Sequence, residues 1–260
     1  MKRILILLAT LTLSAASAHG NEGKPVGQLR ARDAHALLWL PDGRLLFGHH
    51  DGVQVSPDQG STWKKLFDKP DFDAMNLQLA GRSIILAGHG VYATSPDGKR
   101  WMNRTPKGLG GKDLHGYAVD PGNAARHYAW EAGTGLYGST DSGATWRPLT
   151  AQKLPPDVMK LAAGPKGTLY ALSARAGLWR STNSGKSFTA LQTPEAQPTT
   201  LSVAADGALW VGGKSGVWRQ QGNAWARISD EAALLIAVNP KRPAEAVWVD
   251  PQGAVHRTDH

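Results

Sequence analysis

The chain has 260 residues, with 29 Lys and Arg against 21 Asp and Glu, a formal charge of +8, 30 glycines, ten tryptophans and no cysteine. The missing thiols exclude disulfides, thiolate metal sites and cysteine nucleophiles. Beyond the N-terminal segment no apolar run is long enough to cross a bilayer as a helix. No Lys/Arg run is interleaved with aromatics, so the basic excess predicts a solvated surface and no nucleic-acid partner.

In chain order, residues 1–18 read as a secretory signal peptide. Lys2 and Arg3 form the charged start, residues 4–13 the apolar run, and Ala16-Ser17-Ala18 a small-residue cleavage site. The expected product is residues 19–260, a single domain in the bacterial periplasm or secreted, with no membrane span and monomeric.

A strand over residues 36–40 ends in a Pro41-Asp42-Gly43 turn. A second strand (44–47) runs through the loop Gly48-His49-His50-Asp51-Gly52 into a third (52–55). The third leads into Ser56-Pro57-Asp58-Gln59-Gly60-Ser61-Thr62-Trp63, and a fourth strand follows. That last octet returns down the chain. A shorter copy carries Ser95, Asp97 and Trp101. Further copies carry Ser139, Asp141, Gly143 and Trp146, then Ser181, Asn183, Gly185 and Phe188, and a worn copy ends at Trp225. The spacing of about 40 residues is that of a four-stranded propeller blade. In each copy the short carboxylate (Asp58, Asp97, Asp141) can accept turn amides, the glycine (Gly60, Gly143, Gly185) can take a positive φ, and the aromatic can cover the neighbouring blade. These residues are therefore expected to build turns and not to catalyse.

The count gives six blades in an all-β ring, with five and seven as open alternatives. The sixth blade ends before a fourth strand, and residues 26–32 are expected to supply it, removing exposed edges.

A second pattern precedes the first strands. It reads Asp33-Ala34-His35-Ala36, Asp71-Phe72-Asp73-Ala74 and Asp113-Leu114-His115-Gly116, with Asp157 in register in blade four. The loops after the second strands hold His49 and His50 in blade one and His89 in blade two. In an up-and-down blade, the loop entering strand one and the loop joining strands two and three share a face. The octet turns occupy the other. His35, His49, His50, His89 and His115 with Asp33, Asp73 and Asp113 are thus expected at one channel mouth on blades one to three. Imidazole and carboxylate without thiolate suit one divalent transition metal such as zinc or copper, and Met159 could add a soft donor. The same groups could form an acid/base pocket, a docking rim or an ordinary polar rim.

The octet pattern S-x-D-x-G-x-[TS]-[WF] resembles the Asp-box, or bacterial neuraminidase repeat, of sialidase-type β-propellers. With the D-x-[HD]-[AG] starts and the loops Gly48-His49-His50-Asp51-Gly52 and Gly88-His89-Gly90, residues 33–259 resemble small exported bacterial sialidase-repeat, glycosylhydrolase-like proteins. They are more distantly similar to photosystem II assembly-factor propellers and sortilin-type receptors. The resemblance implies a propeller, and among its members hydrolysis or protein binding. The Phe/Tyr-Arg-Ile-Pro motif of the sialidases is absent here, and the arginines show no family order. The expectation is a non-catalytic binding module for an envelope ligand, protein or metal. The alternatives are a sialidase-like glycoside hydrolase and a protein-docking assembly factor.

Overall fold

The computed structural model describes residues 24–30, 33–70, 72–111 and 113–258, so the predicted signal peptide, Arg32 and Asp71 lie outside the described residues. Its strands form six four-stranded antiparallel sheets arranged as blades. Blade one comprises β2 (Ala34–Trp39), β3 (Leu45–His49), β4 (Gly52–Ser56) and β5 (Lys64–Asp68). Blade two has β6 (Asn76–Ala80), β7 (Ser83–Ala87), β8 (Tyr92–Ser95) and β9 (Met102–Asn103). Blade three has β10 (Leu114–Val119), β11 (His127–Glu131), β12 (Gly135–Ser139) and β13 (Arg147–Pro148). Blade four has β14 (Val158–Ala163), β15 (Leu169–Ser173), β16 (Gly177–Ser181) and β17 (Thr189–Ala190). Blade five has β18 (Thr200–Val203), β19 (Leu209–Gly213), β20 (Gly216–Gln221) and β21 (Ala224–Ser229). Blade six has β22 (Leu235–Val238), β23 (Ala246–Val249) and β24 (Ala254–Arg257), and its outer strand is β1 (Gly27–Gln28), paired antiparallel through Gly27 to Val255 and Gln28 to Ala254.

The second strands are buried on both sides and read as near-continuous apolar runs, such as Leu45-Leu46-Phe47 and Leu169-Tyr170-Ala171. Each sheet packs face to face on the next, and the apolar side chains segregate into clusters at the blade interfaces. Leu46, Ile84 and Leu86 join blades one and two, and Phe47, Val247 and Val255 join blades one and six. Trp63, Trp101, Trp146 and Phe188 pack into successive interfaces.

The octets form the turns from third to fourth strand. Asp58 accepts the Thr62 amide at 2.8 Å and its hydroxyl at 2.7 Å, while buried Ser56 Oγ accepts the Gly60 amide at 2.8 Å. Asp141 and Ser139 repeat this with Thr145 and Gly143. In blade four Asn183 Oδ1 accepts the Ser187 amide and its Nδ2 donates to the Ser187 hydroxyl. Gly60 takes φ +101°, and the residue before it, Gln59, is also left-handed at +57°. Blade five departs from the expected worn copy: Gln221 pairs directly with Ala224 around a two-residue hairpin, and Trp225 lies inside β21.

Candidate metal centre

Pairing registers place the site residues on a common ruler. Ser56, Ser95, Ser139 and Ser181 pair with Leu45, Ile84, His127 and Leu169. Counting along the second strands makes Ala36, Asn76, Gly116 and Lys160 equivalent in the first strands. The residues just before them are His35, Met75, His115 and Met159, and the acids two further back are Asp33, Asp73, Asp113 and Asp157. This corrects the expected register in blade two: Asp73 occupies the aspartate position, and Met75 stands where His35 and His115 stand. Aligning on Asp71 shifted that blade by two residues.

His35, His115 and Met159 each sit where the first strand slips register against the second. A bulge re-aims one side chain that a regular strand would send into a packed face. At these positions His35 and His115 are half-buried and Met159 is exposed. Two glycines then bring the Asp73 segment close. A Cβ on Gly48 would meet Ala74 O at 2.4 Å, and one on Gly88 would meet Asp73 O at 1.8 Å. No side chain fits between these backbones.

The result is a connected array across blades one to three. Asp73, only 2% exposed, has His35 Nε2 at 3.2 Å from Oδ1, and His50 Nδ1 at 3.5 Å and His89 Nδ1 at 2.7 Å from Oδ2. His89 Nε2 lies 3.0 Å from Asp113 Oδ1, and His115 Nε2 lies 3.2 Å from the same oxygen. The two Nε2 atoms are 3.2 Å apart. Two triads can hold a metal ion by geometry, His35–His50–Asp73 and His89–Asp113–His115. His35 Nε2, Asp73 Oδ1 and Asp113 Oδ1 are shielded from solvent and, among the described residues, make no hydrogen bond in spite of these short approaches. Burial holds the His35 imidazole below its ordinary pKa, against the opposing charge of Asp73.

Two predicted ligands stay outside both triads. His49 is buried, stacks on Phe47 with ring centroids 5.8 Å apart, and accepts the Asp51 amide at Nδ1. Its ring follows the strand alternation into the interface that His50, one residue on, escapes. Asp33 has a left-handed backbone, and its charge acts on His35 without entering the triad. Met159 remains exposed.

Other blade-top carboxylates behave differently. Asp157 accepts the Ser173 hydroxyl at 2.6 Å and the Arg175 amide at 3.0 Å. Glu195 accepts the amide and hydroxyl of Ser215. Both satisfy local loop donors, the ordinary task of such a residue. By contrast, Asp73 and Asp113 face imidazoles among the described residues.

A polar group without any motif lies beside the octet turn of blade three, where a Cβ on Gly143 would meet Tyr92 OH at 2.0 Å. Tyr92 OH is 2.7 Å from Tyr117 OH, which is 2.6 Å from His127 Nδ1, and His127 Nε2 donates to Ala124 O at 2.9 Å. This relay lies at the interface of blades two and three beside an open cleft of about 740 Å³ that Arg104 and Lys107 also line. Its one signal in the sequence is a histidine at a position occupied by Leu45, Ile84 and Leu169 in sister blades.

No family model matches the chain. Over 135 residues it is 32% identical to the dispase autolysis-inducing protein of Streptomyces mobaraensis, a match covering 50% of this chain and 32% of that relative. The chain thus spans about a third of that relative's length. Among solved structures, the gluconolactonase XC5397 of Xanthomonas campestris superposes with a TM-score of 0.70 at 11% identity, covering 90% of this chain and 88% of the other. YCF48 bound to a D1 peptide superposes at 0.56 with 16% identity, covering 89% and 79%. At these identities the likeness extends to the propeller fold alone, which hosts enzymes and assembly factors alike.

Proposed function

We propose that the protein is an exported, non-catalytic Asp-box propeller of the bacterial envelope, periplasmic or secreted. In this reading it binds one divalent transition metal, zinc or copper, at the mouth of its channel. The observation that carries the metal reading is a pair of His/Asp triads whose carboxylate oxygens, Asp73 Oδ1 and Asp113 Oδ1, are shielded from solvent, face imidazoles and make no hydrogen bond among the described residues. A shielded carboxylate oxygen is costly unless paired, and a bound cation would pair it. A cation fits the donor set, which is purely nitrogen and oxygen. The turn carboxylates Asp58, Asp97 and Asp141 serve their own hairpins, which supports a non-catalytic role for them.

The test is metal uptake. Chelator-stripped protein should regain about one Zn²⁺ or Cu²⁺ equivalent, and the double variant His35→Ala with His115→Ala should not. Equal uptake by the double variant would overturn the reading, and turnover of a glycan would restore the glycoside hydrolase alternative.

A further inference from the structure

The two triads are copies of one arrangement. Each combines a loop histidine of one blade (His50, His89) with the entry aspartate of the next (Asp73, Asp113). In the outer copy the bulge position of that next blade completes the set with His115. In the inner copy that position holds Met75, and the third nitrogen comes instead from His35 of the preceding blade.

Resting on the metal-binding reading above, we infer that His89, Asp113 and His115 are the metal ligands, that Asp73 is a positioning residue acting through His89, and that the fourth coordination position takes a small monoanionic ligand.

Distances support the outer copy. Its three donor atoms form a triangle with edges of 3.0, 3.2 and 3.2 Å. Donors about 2.0 Å from a tetrahedral zinc lie about 3.3 Å apart, so an ion fits with shifts of a few tenths of an ångström. The inner copy is looser, with approaches of 3.2 and 3.5 Å made to different oxygens of Asp73. Its ring centroids are 6.5 Å apart, against 5.1 Å in the outer copy.

The second shell points the same way. His89 Nδ1 lies 2.7 Å from Asp73 Oδ2, so the proton sits on Nδ1 and the Nε2 lone pair faces Asp113 and His115. This is the carboxylate–histidine–metal arrangement that fixes a ligand's tautomer and raises its basicity. Without an ion, His115 Nε2 can donate to that lone pair; an ion displaces the proton.

Charge disfavours the inner copy as an ion site. The Lys160 ammonium is hydrogen-bonded to the carbonyl of His35 and opposes a second cation there. In the outer copy, two neutral imidazoles and one carboxylate leave a divalent ion at net +1. Side-chain exposures of 45%, 50% and 31% for His89, Asp113 and His115 leave one side of the triad open to solvent. An open fourth position on a +1 centre suits a monoanion such as a carboxylate or hydroxide.

The experiment is Co²⁺ titration of the chelator-stripped full chain, followed by the visible ligand-field bands, then addition of azide. Wild type should take one equivalent with a tetrahedral spectrum that azide shifts. Asp113→Asn and His115→Ala should each bind at least about 100-fold more weakly, while His35→Ala and His50→Ala stay within about twofold of wild type. Asp73→Asn should bind about 10- to 100-fold more weakly, with a shifted spectrum that a merely structural role would not produce. Circular dichroism of each apo variant checks folding, and Asp113→Asn keeps the shape of the native side chain. If His35→Ala or His50→Ala abolishes uptake while His115→Ala does not, this assignment fails and the metal reading survives. If wild type takes up neither Co²⁺ nor Zn²⁺, the metal reading fails and the assignment with it. A spectrum indifferent to azide overturns the open position.

Discussion

Lys160 reaches across the central channel from blade four and donates a hydrogen bond from Nζ to the backbone carbonyl of His35 in blade one, at 2.9 Å. Blades one and four are opposite in a ring of six, so the contact spans the lumen. Part of the stem meets solvent in the channel, but protein surrounds the ammonium, and burial pulls its pKa down to about 8. It remains largely cationic at neutral pH, and its charge acts on the His35 imidazole of the inner triad. Replacing it as Lys160→Met keeps the length and removes the charge. Metal titration of this variant should show a second, weaker equivalent at the inner triad. A stoichiometry unchanged from wild type would mean that Lys160 is not what keeps a second ion out.

The turn carboxylates predict the acid limb of stability. The Thr145 hydroxyl, then the Thr145 amide and the Ser139 hydroxyl, hold the Asp141 carboxyl down at about 2, against an ordinary 3.8. A depressed folded-state pKa means that the unfolded chain binds the proton first. The stabilisation is therefore complete above about pH 4 and is lost as pH falls through about 2. Asp141→Asn should lower stability at neutral pH and flatten the slope of unfolding free energy against pH between 4 and 2. Denaturant melts at half-unit intervals check this, and an unchanged slope would remove Asp141 from the account.

Ring closure depends on a glycine. A Cβ on Gly27 would meet the backbone oxygens of Gly60 at 2.0 Å and Ser61 at 2.8 Å. Those oxygens belong to the blade-one turn, so β1 is wedged between it and β24. Gly27→Val should detach β1 and leave β24 as an open edge. The expected cost is about 1–3 kcal/mol, the usual range for overpacking. Thermal melts and size-exclusion chromatography should show a lower Tm and concentration-dependent association. A variant as stable as wild type would show that the closing strand contributes little.

The fold was legible because the octet repeats at blade spacing and carries its turn chemistry in the residues themselves. Face assignment of the histidines followed from strand parity, which needs no coordinates. The register of blade two was not legible: Asp71-Phe72-Asp73-Ala74 imitates the entry motif locally, and only the pairing of Asn76 with Ala87 places Asp73 at the aspartate position. His49 and His50 could not be separated either, because which neighbour turns inward depends on where β3 ends. The Tyr92–Tyr117–His127 group left almost no trace, since its members come from three strands and meet only when blades two and three pack.

That group has a direction, and the direction can be tested. Ala124 O can only accept, so His127 carries its proton on Nε2, and Nδ1 must accept from Tyr117. Burial lowers the His127 pKa and keeps the ring neutral, consistent with this tautomer. With its proton committed to His127, Tyr117 receives the hydroxyl proton of Tyr92. The three positions therefore differ in what their loss leaves behind. Tyr92→Phe removes a terminal donor, and Tyr117 keeps its own bond. Tyr117→Phe strands a buried donor on Tyr92 and a buried acceptor on His127, each worth about 1–3 kcal/mol when unpaired. Urea denaturation should thus place Tyr117→Phe well below Tyr92→Phe in stability, by at least about 1 kcal/mol. If the two variants were equally stable, the relay would not run from Tyr92 to His127, and the tautomer argued from Ala124 would be wrong.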